Sequence, residues 1–267
     1  MKRGSATAKI NLALVVGPRR EDGYHEVATV LQRIDLADRL EVAPAAEVRV
    51  RGFADDTLVR RALEAMAAET ETGWEAQIEK HIPVAAGLGG GSSDAATALA
   101  LANASLAEPL ADERLHELAA ELGSDIPFFL TSGPQFASGR GTDLELVELP
   151  QDFWIVLVLP HDARKRSTTD VYGAFDAGEG FDERRAALLE ALAAVRRPAD
   201  LAALPPNDLA RSPLADEFLA AGAFRADVSG AGPAVYGLFL EEHDAAVAAG
   251  RLRARGRVWA TVPAWYG

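Results

Sequence analysis

The stretch Ile82-Pro83-Val84-Ala85-Ala86-Gly87-Leu88-Gly89-Gly90-Gly91-Ser92-Ser93-Asp94-Ala95-Ala96 decides how this chain is read. A loop holding Gly87, Gly89, Gly90 and Gly91 opens directly onto an alanine-rich helical segment, read as Asp94 to Ala104. Glycine lets the backbone bend where a Cβ would clash, so several N–H groups can converge on one anion. The helix that follows adds its own unsatisfied N–H groups and the positive end of its dipole. Behind an expected strand over Trp74 to Lys80, the loop reads as a phosphate cradle. No Gly-Lys-Ser/Thr follows the glycines, which excludes a Walker A loop. Ser92 stands where a dinucleotide fingerprint needs its third glycine, which excludes that motif too. A plain surface turn is the alternative, but such turns seldom pack so many glycines against a helix start.

The 267 residues give room for one large domain or two modest ones, each with its own core. Apolar side chains make up 49% of the chain, the mark of a globular protein rather than a disordered one. Lys and Arg number 27 against 40 Asp and Glu, a formal net charge of -13. Duplex binding needs a basic footprint, so no nucleic-acid partner is expected. The same charge works against steering an anionic substrate. A phosphate site must therefore draw on local backbone dipoles, a few basic side chains and a divalent cation. The absence of cysteine excludes disulfides and thiolate metal sites and fits a cytoplasmic setting. Lys9 and Asn11 interrupt the apolar segment behind Met1-Lys2-Arg3, and no small-residue cleavage site follows, so no signal peptide is expected. The most apolar run, Phe153 to Leu159, falls far short of the roughly 20 residues a membrane-crossing helix needs. No membrane partner is expected.

Ala8, Ile10, Leu12, Leu14 and Val16 alternate with Lys9, Asn11, Ala13 and Val15, the period of a half-buried strand. Lys9 and Asn11 then share one face, opposite the apolar one. Arg39 to Val42 and Glu47 to Arg51, either side of Pro44-Ala45-Ala46, read as a hairpin. Asp55 to Thr70 has helical spacing, with Asp55 or Asp56 as its cap. Asp112 to Leu122 reads as a helix, and Gly123 stands where a left-handed C-terminal cap is expected. Strands over Phe136–Ala137 and 144–149 flank the turn Gly139-Arg140-Gly141. Beyond a soft boundary near Pro150 come an apolar strand, helices over 182–195 and 214–221, strands over 223–228 and 234–240, a helix over 243–253 and a strand over 257–262. That order is the order of a ferredoxin-like α+β sandwich.

These pieces resemble the GHMP kinase superfamily nearly end to end. The resemblance rests on Ala8-Lys9-Ile10-Asn11-Leu12, Asp22-Gly23-Tyr24-His25-Glu26, the run Gly87 to Ala96, Gly123-Ser124-Asp125-Ile126-Pro127-Phe128-Phe129, Asn207-Asp208-Leu209 and Val228-Ser229-Gly230-Ala231-Gly232-Pro233. The two glycine loops carry the superfamily. The double-phenylalanine segment and the Asp-Gly-Tyr-His box point to the branch whose substrate is a cytidine diphosphate alcohol. Ser124, where alanine is common, and Val84-Ala85 before the glycines are small departures. The implied fold is α+β: a ribosomal-protein-S5-like ATP-binding domain over residues 1–150 and a ferredoxin-like domain over 151–267.

The implied chemistry is phosphoryl transfer from ATP to an alcohol, which needs positioning, neutralised phosphate charge and help for the attacking hydroxyl. The resemblance assigns the ATP phosphates to Pro83, Ala85, Gly87, Leu88, Gly89, Gly90, Gly91, Ser92 and Ser93. Either serine could offer a hydroxyl to phosphate or Mg2+, with Ser93 the metal candidate; each could equally be a plain helix cap. Asp125 is the implied general base, though its place before Pro127 would also suit a cap for the next short helix. Lys9 is its implied partner, keeping it ionised and stabilising the developing alkoxide or the transferring group. By pattern alone Lys9 is as readily an exposed strand lysine. Asn11 is placed at the substrate. The box implies that His25 hydrogen-bonds the cytosine and Tyr24 lines its pocket, although a loop histidine is ordinarily just solvated. Tyr172 or Phe175, in a segment that also looks like this branch, could stack on the pyrimidine or serve as core aromatics. Gly230 lets backbone approach the substrate, a geometry a tight hairpin turn shares.

The five histidines are scattered, so Mg2+ is expected to be held mostly by ATP and water. The implied arrangement puts ATP along the glycine loop and the alcohol in a cleft between domains, in a monomer or weak homodimer. A mevalonate or homoserine kinase-like enzyme and a non-catalytic binding relative are the rival readings.

Overall fold

Residues 2–19 form a single strand, twice the expected length and buried along most of it, in a computed structural model that describes residues 1–53, 57–163, 167–175 and 179–264. In chain order the elements are β1 (Lys2–Arg19), β2 (His25–Ala45), β3 (Arg49–Arg51), α1 (Leu58–Thr70), β4 (Gly73–Glu79), α2 (Gly90–Asn103) and α3 (Asp112–Leu122). A 3-10 turn (Pro127–Leu130) leads to β5 (Gln135–Ser138), β6 (Asp143–Leu146), β7 (Trp154–Pro160), α4 (Thr168–Gly173) and α5 (Phe181–Ala194). A second 3-10 turn (Pro198–Ala203) precedes α6 (Pro213–Ala220), β8 (Arg225–Val228), β9 (Val235–Phe239), α7 (Glu242–Leu252) and β10 (Gly256–Thr261). The cap expected at Asp55 or Asp56 lies outside the described residues. Among those residues no helix is long and apolar enough to cross a membrane.

Two compact units interleave along the chain: the first is residues 1–8, 36–84 and 89–132, the second residues 9–35, 85–88 and 133–267. In the first unit β4 pairs antiparallel with the end of β2, from Arg39 opposite Glu79 to Ala45 opposite Gly73. On its other side β4 pairs parallel with β3. The hairpin expected between 39–42 and 47–51 is therefore corrected: β4 lies between the two segments, because the chain after Ala45 crosses beyond it rather than turning back. The α1 residues Val59, Ala62, Leu63 and Met66 form the apolar stripe that packs on α2. Ala95, Ala96, Ala98 and Ala102 of α2 are small enough to let α1 approach closely.

In the second unit an antiparallel sheet runs β10-β7-β9-β8, the 4-1-3-2 order of a ferredoxin-like sandwich. Val156, Val158, Val228, Val235 and Phe239 from its strands bury against Phe218 of α6 and Ala245, Ala248 and Leu252 of α7. Pro213 opens α6 where a missing N–H costs nothing, and Ser212 Oγ accepts from Leu214 N at 3.3 Å. The first half of β2 pairs with β5, and β5 with β6, around the turn 139–141.

Three local expectations are corrected. β1 is not half-buried: residues 6–17 are enclosed on both faces, so Lys9 and Asn11 are each only 4% exposed. α2 begins at Gly90, four residues early, because Gly89 itself takes the cap position with φ 70. Gly123 has φ 174, extended rather than left-handed, and closes α3 by donating its N–H to Ala119 O at 3.1 Å.

Candidate active site

Lys9 lies on β1 with its ammonium donating to Asn11 Oδ1 at 2.6 Å. Asn11 Nδ2 donates in turn to Thr29 Oγ1 at 2.9 Å, and that hydroxyl donates to Ala13 O at 2.6 Å. A buried ammonium is tolerated only when its charge is met by such partners. The backbone of this segment is held as well: Lys9 N donates to Leu88 O at 3.0 Å, and the buried Tyr236 hydroxyl to Asn11 O at 2.9 Å. Burial pushes the Tyr236 phenol up to about 12, so it stays a donor at neutral pH. A Cβ added at Gly230 would lie 3.3 Å from both Lys9 Nζ and Asn11 Oδ1. Lys9, Asn11 and Gly230 thus meet at one place in the second unit.

The turn bearing Gly230 also holds the first half of the glycine loop. Ser229 Oγ donates to Gly87 O at 2.9 Å, and Ala234 N to Ala86 O at 3.0 Å. With Lys9 N on Leu88 O, the carbonyls of residues 86, 87 and 88 are all engaged within the second unit. Gly87 has φ 81, and a Cβ there would fall 2.1 Å from Ser229 O, so no other residue fits. Ala85 has φ 55 without being glycine, the kind of strained backbone that clusters at ligand sites.

Asn207 positions the other side of that turn. Its Nδ2 donates to Gly230 O at 2.7 Å and Val228 O at 2.9 Å, and its Oδ1 accepts from Leu209 N at 2.8 Å. Asp208 Oδ2 accepts from Val16 N at 3.0 Å. Asp227 accepts from the N–H groups of Asn207 and Val228 at 2.9 and 2.8 Å. Burial nonetheless raises its carboxyl above the usual range, against those bonds and the pull of Arg225.

In the first unit, Gly90, Gly91, Ser92 and Ser93 form the opening turn of α2, where the first N–H groups of a helix have no carbonyl partner within it. Neither serine caps the helix: Gly89 does, with no side-chain bond, and Ser93 N already donates to Gly89 O at 2.9 Å. Ser92 is half-buried and Ser93 only 1% exposed. Pro83 and Gly89 are half-buried, Leu88 is buried, and Ala85 is exposed. Asp125 stands half-buried in the turn between α3 and Pro127, and the cap of the 3-10 turn is Ile126, not Asp125.

Composition patterns missed the base of this loop. Lys80 Nζ donates to Asp38 Oδ2 and to Asp94 Oδ2, both at 2.5 Å, and both carboxylates are fully buried. Asp38 Oδ1 also accepts the N–H of His81 and, at 2.8 Å, that of Ile82. Burial disfavours the Lys80 charge, but Asp94 and Asp38 outweigh it and raise its pKa. A signal was present: Asp94 is the only acidic residue, Lys or Arg between Lys80 and Glu108, and a lone charge in an apolar helix implies a buried partner.

His25 begins β2, with Nδ1 2.9 Å from Gly17 O. Its ring centroid is 5.8 Å from Tyr172 and 6.2 Å from Phe175, and both aromatics also pack on Leu14, Val16 and Val27. Tyr24 is 47% exposed, with the Arg140 guanidinium 5.5 Å from its ring centre. Tyr24 N donates to Asp22 Oδ1 at 3.1 Å, which holds that carboxyl below its ordinary range.

Comparison with known proteins bears on this arrangement. Residues 57–133 match the GHMP kinases N terminal domain, and residues 212–258 the GHMP kinases C terminal domain. A 4-diphosphocytidyl-2-C-methyl-D-erythritol kinase of Geobacter sulfurreducens is 38% identical over 274 residues, covering 95% of each chain. One from Pelotomaculum thermopropionicum is 40% identical over 269 residues, covering 93% of this chain and 92% of its own. A crystal structure of 4-(cytidine 5'-diphospho)-2C-methyl-D-erythritol kinase matches over 100% of both chains, with a TM-score of 0.79 and 35% identity. A homoserine kinase from Cytophaga hutchinsonii shares the fold alone, with a TM-score of 0.73 at 15% identity over 96% of this chain and 95% of its own. The chain belongs to the GHMP kinase family, and within it to the 4-diphosphocytidyl-2-C-methyl-D-erythritol kinases.

Proposed function

We propose that this protein transfers the γ-phosphoryl group of ATP to the 2-hydroxyl of 4-diphosphocytidyl-2-C-methyl-D-erythritol, giving the 2-phosphate and ADP in isoprenoid precursor synthesis. The observation that carries the reading is the His25–Tyr172–Phe175 cluster, in the same unit as Lys9, Asn11 and Gly230. Faces and edges of aromatic rings beside an imidazole suit a pyrimidine, which a mevalonate or homoserine kinase has no need to hold. Tyr24 lines the pocket, His25 hydrogen-bonds the base, and Asn11 and the backbone at Gly230 meet the alcohol.

GHMP kinases use ATP as phosphoryl donor. The N–H groups at the start of α2 and the glycine turn suit its phosphates, and the serine hydroxyls are the hard oxygen donors that magnesium takes. Mg2+, when bound, neutralises triphosphate charge. Ser93 is the proposed contact to it, and Ser92, the more exposed, meets a phosphate. A cavity of about 870 Å³ in the first unit is lined by Gly52, Phe53, Ile78 and Lys80. Lys80 Nζ is 5.8 Å from the Phe53 ring centre and 3.5 Å from where a Cβ of Gly90 would stand, which suits a purine beside the cradle.

Asp125 takes the proton of the acceptor hydroxyl, and Lys9 stabilises charge on the alkoxide and the transferring group. The protein works in the cytoplasm as a monomer or weak homodimer, with a domain boundary near Pro150. ADP release measured with the cytidylated alcohol, mevalonate and homoserine tests the assignment: turnover with the first alone supports it, and turnover without the cytidine group overturns it.

A further inference from the structure

We propose that Thr29 is a positioning residue for phosphoryl transfer, fixing the Asn11 amide so that its carbonyl, and never its NH2, faces the Lys9 ammonium. This rests on the reading of Lys9 as a group that acts on the transferring phosphoryl.

The argument is one of donor counting. A threonine hydroxyl has a single hydrogen, and Thr29 directs it to Ala13 O at 2.6 Å. Toward Asn11 the hydroxyl can then only accept. The amide atom 2.9 Å away is accordingly Nδ2, which leaves Oδ1 on the far side, where Lys9 Nζ donates to it at 2.6 Å. An ammonium has no acceptor capacity, so the reverse amide orientation would set NH2 against NH3+. The chain Ala13 O, Thr29 hydroxyl, Asn11 amide and Lys9 ammonium is therefore polarised in one direction from end to end.

The surroundings leave Lys9 little other freedom. Lys9, Asn11 and Thr29 are 4, 4 and 5% exposed, and the backbone beneath them is held, with Tyr236 donating to the Asn11 main-chain carbonyl and the Lys9 main-chain N–H donating to Leu88 O. Gly230 backbone stands close beside the pair: a Cβ added there would lie 3.3 Å from both Lys9 Nζ and Asn11 Oδ1, so only glycine leaves the Lys9–Asn11 bond uncrowded. One of its three N–H bonds is thus aimed by a residue two bonds removed, on a neighbouring strand. Asn11 thereby gains a task besides meeting substrate.

The test compares Thr29→Val, Thr29→Ala, Thr29→Ser and Lys9→Met in the full chain by kcat, KM for ATP and thermal midpoint. Valine keeps the shape and removes the acceptor, and serine keeps the hydroxyl. Thr29→Val is expected to lower kcat by about tenfold to a hundredfold, as misplacement of a reacting group does, with KM for ATP within about twofold. Thr29→Ser is expected to restore kcat to within about threefold of the parent, since one hydrogen bond of ordinary strength is regained. Thr29→Ala is the second probe if the valine variant does not fold. Parent-like kcat in a folded Val or Ala variant overturns the proposal, as does a serine variant as slow as valine. Near-normal turnover in Lys9→Met overturns instead the reading of Lys9 on which it rests, and the two failures are distinct.

Discussion

The Ser229 hydroxyl donates to the carbonyl of Gly87 at 2.9 Å, joining two glycine turns that lie 142 residues apart in the chain. Neither turn is rigid by composition. Together they are held, because Ala234 N bonds Ala86 O on one side and Lys9 N bonds Leu88 O on the other.

Removing that bond is expected to loosen the loop proposed to hold the nucleotide. Ser229→Ala is expected to raise KM for ATP about fivefold, equivalent to about 1 kcal/mol, with little change in KM for the cytidylated alcohol. Gly87→Ala is expected to be worse, since its Cβ would have to displace Ser229 O from 2.1 Å away. Steady-state kinetics with each substrate varied checks both. An unchanged KM for ATP in Ser229→Ala would show that the bond does not shape the loop.

Lys80 holds two buried carboxylates. Lys80→Met leaves Asp38 and Asp94 enclosed without their cation and is expected to cost about 3–5 kcal/mol in urea unfolding. The pH dependence has a definite sign. Because the Lys80 pKa is raised in the folded protein, its contribution is full below its ordinary value of 10.5 and is lost as pH rises through the folded value. Stability of the parent should therefore fall above that pH by a component that Lys80→Met lacks. Parallel curves for the two proteins would contradict the assignment.

The Asn207 side chain ties two segments together, donating twice to the turn at Gly230 and accepting once from Leu209 N. Asn207→Ala leaves Gly230 O, Val228 O and Leu209 N without those partners and is expected to cost about 2–4 kcal/mol of stability. Turnover should fall as well, because Gly230 stands against Lys9 and Asn11. Chemical denaturation alongside kcat checks both effects; parent-like stability would mean the turn stands without Asn207.

The proposed pyrimidine pocket is expected to be separable from the loop proposed to hold ATP. His25→Ala is expected to raise KM for the cytidylated alcohol about tenfold, by loss of a hydrogen bond to a buried base, with KM for ATP unchanged. Leucine at Tyr172 and at Phe175 then decides which ring stacks on the cytosine: the larger rise in KM marks the stacking residue. A change confined to ATP would move the pocket elsewhere.

Much of this was legible in residue order, for reasons that can be named. The spacing over 112–122 and the apolar run from Phe153 translated directly into α3 and β7, since each depends on its own residues. The sandwich of the second unit followed from the order of its elements. What failed depended on partners distant in sequence. The segments flanking Pro44 looked like a hairpin because nothing in them announces that β4 will come between. Lys9 looked exposable because alternation shows one buried face and cannot show the second being covered. The start of α2 was set four residues late because glycine is a poor helix former, although three of its first-turn N–H groups are what the loop needs to present. Asp38 and Thr29 gave no signal of their own: an acid and a threonine within one long strand acquire meaning only beside Lys80 and Asn11.

The central claim, that this fold carries out phosphoryl transfer through Asp125, is tested most directly by a single-turnover measurement on Asp125→Asn. Saturated with ATP and the cytidylated alcohol, the variant should form ADP at least about a thousandfold more slowly than the parent while binding ATP equally well, as expected for removal of a general base. ADP formation at a rate near that of the parent would contradict it.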